Sequence, residues 1–159
     1  MTRLLTGGMV MFAGIVFMPA GPTANQTSSQ PAPDYRDDPR FESLSRFFHR
    51  FECPAEMYTA EFLKASDAND LDWRLLPSLS FVETTGGKEA RNNNMFGWDS
   101  GRAHFPSPVA GIHAVGYHLK HSRVYKNKKL DKLLAVYNPA VDEYAQKVKS
   151  VMRRISPTE

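Results

Sequence analysis

The chain has a single cysteine, Cys53, in 159 residues, so no intrachain disulfide can staple the fold. Nothing near Cys53 nominates a base for it, and it reads as a small buried apolar residue rather than a nucleophile. No zinc-binding HExxH spacing is present. His113, His118 and His121 fall at i, i+5 and i+8, which spreads them around a helix instead of gathering them on one face. Gly86-Gly87 lacks the following Lys-Ser/Thr of a phosphate loop, and there is no internal repeat. These absences remove the metal, nucleotide and repeat classes, and no cofactor is expected. After residue 18 no long hydrophobic run recurs, so nothing downstream reads as a membrane span.

What is present suits one globular domain: 42% hydrophobic residues, 23% charged, and a net charge of +3. Residues 1–24 read as a signal peptide or N-terminal anchor. Arg3 supplies the positive start, and residues 4–18 supply an apolar stretch rich in glycine and too short for a comfortable span. Neither Ala20 nor Ala24 has a small residue two positions earlier, so cleavage and an uncleaved anchor both stand. Residues 25–38 are polar and proline-bearing, as in a flexible linker, and Asn25-Gln26-Thr27 matches a glycosylation sequon. Residues 39–156 form the domain. The expected location is secreted, periplasmic or cell-envelope, and the expected state is a monomer.

Hydrophobic spacing predicts six helices. The first opens at Asp38-Pro39 with a stripe of Phe41, Leu44, Phe47, Phe48 and Phe51. The second starts at Cys53-Pro54 and ends in the polar turn at residues 67–70. The third is capped by Asp72 and stopped by Gly86-Gly87, with Pro77 forcing a kink or a start delayed towards Leu75. Residues 88–94 have no period, and Asp99-Ser100-Gly101, flanked by aromatics, can close a short hairpin. Ser107-Pro108 caps a fourth helix. Leu130 to Tyr137 mark a fifth, stopped by Asn138-Pro139, and Val141 to Ile155 mark a sixth.

Glu83 is the residue in this pattern with the clearest chemistry. Leu75, Leu76, Leu79 and Val82 form one face of the third helix, and Glu83, four residues after Leu79, shares it. It also lies in the last turn, where the macrodipole disfavours negative charge. Apolar neighbours and a helix C-terminus both raise a carboxyl pKa, which suits a general acid. The plainer alternative is a solvated helix-end glutamate.

Three segments in order carry a resemblance: residues 71–84 (LDWRLLPSLSFVET), residues 92–98 (NNNMFGW) and residues 137–155 (YNPAVDEYAQKVKSVMRRI). Together they resemble the lysozyme-like superfamily of peptidoglycan-cleaving enzymes, in particular bacterial β-N-acetylglucosaminidase domains and soluble lytic transglycosylases. The resemblance spans roughly residues 40–155. It implies a mainly α, lysozyme-like α+β fold with a small irregular or β-hairpin lobe after the catalytic helix. It also implies that Glu83 is the general acid, with Thr84 beside it, and that Asn94, Phe96, Gly97 and Trp98 line the sugar cleft. Tyr137-Asn138 would match the late tyrosine turn of the family. Transglycosylases usually carry Gly-Leu-Met-Gln after the glutamate. Here Phe96-Gly97-Trp98-Asp99 stands instead, which favours the glucosaminidase-like branch. A second carboxylate occurs in some members of that branch, and Glu89 and Asp99 are the candidates.

The implied reaction is cleavage of the β-1,4 glycan backbone of peptidoglycan beside an N-acetylated sugar. Glu83 would protonate the leaving oxygen, and the substrate's own N-acetyl group would replace a protein nucleophile. Tyr137 could orient the acetamide, or equally serve as a core residue whose hydroxyl needs one partner. Trp98, Phe96 and Phe105 could stack on sugar faces or close the lobe's own core. Ten of the twenty Lys and Arg residues lie from Lys120 to Arg154. Aromatics are not interleaved with these charges, which argues against nucleic acid. A basic surface also suits an anionic wall. The rival to a hydrolase is a non-catalytic wall-binding or assembly module on the same fold.

Overall fold

The computed structural model describes residues 34–157, which form six α-helices and one short 3-10 helix, with no strand among the described residues. The expected leader, residues 1–24, lies outside these residues, as does most of the linker. Of residues 34–38, Tyr35 packs against the core and Asp38 caps the first helix. No described helix is long and apolar enough to cross a membrane.

Helix α1 (Pro39–Arg50) begins as its sequence predicts. The Asp38 side chain accepts from the Arg40 N–H at 2.8 Å, and Pro39 needs no partner in the first turn. Leu44, Phe47 and Phe48 are buried. The second predicted helix is divided. Residues Pro54–Tyr58 form a 3-10 helix, and α2 (Thr59–Ala68) starts only afterwards. The Glu56 carbonyl accepts both the N–H and the hydroxyl of Thr59, which fixes the tighter turn.

Helix α3 (Leu75–Thr84) is nearly enclosed: Leu75 to Ser80 are all buried. Its start differs from the predicted cap. Arg74 occupies the N-cap position, and Asp72 sits two residues further out. There its side chain accepts from the Arg74 N–H at 2.9 Å and its carbonyl accepts from the Leu75 N–H at 2.8 Å. Pro77 then falls in the first turn, where a missing donor leaves no bond unmade. At the other end Thr85 is left-handed (φ 53°) and the Gly86 N–H reaches the Ser80 carbonyl at 3.1 Å. The helix therefore turns off one residue before the glycine pair.

No hairpin forms at residues 99–101. Asp99 and Ser100 are both left-handed (φ 53° and 54°), and the Gly101 N–H returns to the Gly97 carbonyl at 2.9 Å. The only described bridge pairs Arg91 with Asn94. Side chains explain the difference. Asn94 Oδ1 accepts from the N–H groups of Phe96 and Trp98, and its Nδ2 donates to the Trp98 carbonyl. The loop is closed upon itself, and its backbone has no ladder to join. Helices α4 (Pro108–His121), α5 (Leu130–Tyr137) and α6 (Tyr144–Ile155) follow. Ser107 caps α4 by accepting from the Ala110 N–H at 3.1 Å, as its sequence predicts. Helix α6 starts at Tyr144, three residues later than expected from Val141. Helix α3 packs on α6 and α2, and α2 packs on α4, which leaves the first six residues of the helix bearing Glu83 enclosed.

Candidate active site

Glu83 lies in the last turn of α3 and is half-buried. Its Oε1 accepts a 2.6 Å hydrogen bond from the Tyr144 hydroxyl. Its Oε2 faces the loop: a Cβ added to Gly97 would stand 2.8 Å from that oxygen. Gly97 is left-handed (φ 58°), so two independent reasons call for glycine there. Burial raises the Glu83 pKa above the ordinary carboxylate value of 4.5, and the Tyr144 hydrogen bond offsets part of that rise.

Tyr144 is the first residue of α6 and only 3% exposed. Burial, then its bond to Glu83, holds its hydroxyl far above the usual phenol range, so it acts as a donor. The Tyr137 ring stacks on it, 5.9 Å between centroids and 6° from parallel. The Tyr137 hydroxyl donates to the Phe96 carbonyl at 2.8 Å. Burial and the nearby Glu83 charge also raise the Tyr137 pKa. The two tyrosines form a wall that runs from α5 to α6 and ends on the carboxyl group.

Beside this wall opens a cleft of about 450 Å³, lined by Gly97, Trp98, Asp99, Ser100, Tyr125 and Tyr137. Trp98 is half-buried. Its ring stacks on His118 (5.6 Å, 19°) and meets Tyr125 at 5.9 Å and Tyr137 at 5.7 Å.

Several expected sugar contacts take other roles. Phe96 is fully buried and packs on Phe62 at 6.2 Å, so it supports the loop from beneath. Asn94 is 2% exposed, and its amide is spent on the loop backbone. Thr84 is buried. Its hydroxyl donates to the Met95 carbonyl at 2.8 Å and accepts from the Gly87 N–H, which pins the helix end to the loop. Asn138 is half-buried at the end of α5 and does not line the cleft. Gly97, Trp98 and Tyr137 do line it. Of the two candidate second carboxylates, Asp99 lines the cleft but pairs with Arg102 at 2.8 Å. Glu89 is exposed outside the cleft, 3.4 Å from the Thr85 hydroxyl. Among the described residues no cluster of three histidine, cysteine or carboxylate side chains is placed to hold a metal.

Sequence reasoning missed Tyr144 and Tyr125. Tyr144 sits in the apolar stripe of α6 and reads there as core. A signal was present, because a buried tyrosine needs a hydrogen-bond partner and Glu83 was a buried carboxyl without one. Tyr125 lies within a basic connection and carries no pattern of its own. Chemically, the site is a carboxyl whose pKa is raised by burial and whose Oε1 is fixed by one donor; Glu83 itself does not line the cleft, and its Oε2 lies against Gly97, which does. Comparison with known proteins finds no family model and no curated protein that matches this chain.

Proposed function

We propose that the protein is an exported peptidoglycan hydrolase that cleaves the β-1,4 glycan backbone beside an N-acetylated sugar, with Glu83 as general acid. One observation carries this reading: a half-buried carboxyl of raised pKa, gripped on Oε1 by Tyr144, next to a cleft of aromatic side chains. Tyr144 donates to Oε1, so in the protonated form of the acid Oε2, the oxygen against Gly97, is the one left to carry the transferable proton. From there it passes to the leaving glycosidic oxygen. The carboxylate left behind keeps the Tyr144 hydrogen bond, which strengthens as the charge appears.

The anomeric carbon needs stabilisation from its other side. Asp99 lines the cleft but is paired with Arg102 at its exposed side, and we assign the role to the substrate's acetamide. The Tyr137 proton is committed to the Phe96 carbonyl, but its oxygen still accepts and suits the acetamide N–H. The rival reading, a wall-binding module without turnover, draws on the same Asp99–Arg102 pair, which leaves the cleft lining no free carboxylate.

The test is mass spectrometry of fragments released from purified peptidoglycan. Wild-type protein is expected to release them and Glu83→Gln to release none while staying folded. Reducing or anhydro ends then identify the bond and the chemistry. Equal release by the two proteins removes Glu83 from the mechanism, and no release by the wild type leaves the binding module.

A further inference from the structure

The connection between α4 and α5 contributes Tyr125 to the cleft and otherwise consists largely of cations. Arg123, Lys126, Lys128 and Lys129 lie in it and Lys132 follows in α5, all exposed, with no acidic residue from His121 to Leu130. Among the described residues none of these five pairs with a carboxylate. The ion pairs nearby use other lysines: Lys120 with Asp70, and Lys149 with Asp131. The Lys149 pair also occupies Asp131, the acid closest in sequence to the patch.

The patch has a defined shape. The N–H groups of Tyr125 and Lys126 both return to the Ser122 carbonyl, and that of Lys128 returns to Tyr125. Asn127 is left-handed (φ 62°), which turns Lys128 and Lys129 away from the line of the chain. Between this turn and α5 lies a hollow of about 410 Å³ lined by Asn127, Lys128, Lys129, Lys132, Ala135 and Val136. It shares no lining residue with the cleft but is built on the same two stretches of chain: Asn127 is two residues from Tyr125, and Val136 precedes Tyr137.

We propose that this hollow binds the acidic peptide branch of the glycan whose backbone lies in the cleft. The proposal rests on the hydrolase reading and names its substrate class: strands that carry peptides with free carboxylates, in preference to bare N-acetylated glycan. The residues match that ligand. Three ammonium groups meet carboxylates, the Asn127 amide suits a peptide backbone, and Ala135 with Val136 offers an apolar floor for a small side chain. A branch leaves the backbone beside the cleft, and the hollow is formed by the chain stretches that also bring Tyr125 and Tyr137 to the cleft.

The test measures binding with Glu83→Gln in every protein, so that nothing is cut. The parent and its Lys128→Gln/Lys129→Gln/Lys132→Gln derivative are titrated against three probes. These are peptidoglycan freed of phosphate polymers, the same material after enzymatic removal of its peptides, and walls that keep their phosphate polymers. The parent is expected to bind peptide-bearing strands about tenfold more tightly than bare ones, and in the derivative that ratio falls to about one. The corresponding Lys→Arg derivative keeps the preference, which separates charge from a damaged fold. A parent ratio of one, a ratio that survives the glutamine changes, or affinity that follows the phosphate polymer instead of the peptide overturns the proposal. Fragment release by protein with Glu83 intact is scored separately. Release without peptide preference sinks the hollow alone, and peptide preference without release sinks the hydrolase reading alone.

Discussion

Glu83 and Tyr144 stand 61 residues apart in sequence, with 2.6 Å between their oxygens. Their bond sets two opposed effects on one carboxyl group: burial favours the neutral form, and the tyrosine favours the ionised one. Tyr144→Phe removes only the second effect. The Glu83 pKa is then expected to rise further, moving the upper limb of the pH–rate profile to higher pH. The rate should fall roughly 10- to 100-fold, since a hydrogen bond to a charged group is worth about 1.5–3 kcal/mol. A profile whose upper limb does not move would mean that Tyr144 serves only the core. Glu83 was legible in the sequence because helical spacing and the apolar face fixed its environment. Its partner was not, because a contact between distant residues leaves no local pattern.

Helix α3 ends on a threonine in a backbone region that β-branched residues avoid. The left-handed conformation costs a non-glycine residue about 1–2 kcal/mol, and glycine forfeits about 0.5–1 kcal/mol of that advantage through its freer unfolded chain. Thr85→Gly should therefore stabilise the domain by about 0.5–1 kcal/mol and raise the Tm by a few degrees in a thermal melt. An unchanged or lower Tm would show that the Thr85 side chain contributes more than its strain costs. The sequence pointed to Gly86-Gly87 as the stop, and both glycines are indeed left-handed. Gly86 has a second task that hid the true turn-off point. A Cβ there would stand 2.6 Å from the Cβ of Cys53, so glycine is required for close packing. Elsewhere the helical elements were readable wherever caps and periods agreed, as at Asp38, Ser107 and the end of α5. The loop after α3 was not, because Asn94 builds it with side-chain-to-backbone bonds that mimic no regular element.

At the scale of the whole molecule the buried acid has a cost in stability, and its sign follows from its proton. Unfolded, Glu83 ionises near 4.5; folded, its pKa is higher because it is partly withdrawn from water. Between those values the folded protein holds a proton that the unfolded chain has released, so stability falls as pH rises through that window and stays lower above it. Glu83→Gln removes this titration. At about pH 8 the variant should melt above the wild type, and below pH 4.5 the advantage should disappear. Parallel melting curves for the two proteins at both pH values would show that the carboxyl is not perturbed by folding. Such a gain in the variant meant to be inactive would also mark Glu83 as a residue kept at the expense of the fold.

The order in which the chain is made gives the Tyr144 contact a further meaning. A nascent chain that has emerged only as far as Tyr137 already contains Glu83, the Asn94 loop and all six residues of the cleft lining. It lacks the donor to Oε1 and all of α6, against which α3 packs. In that state Glu83 has neither the packing of α6 against its helix nor the tyrosine that accompanies it. The two opposed influences on its carboxyl, withdrawal from water and the tyrosine donor, therefore draw on the same docking event, that of α6 on α3.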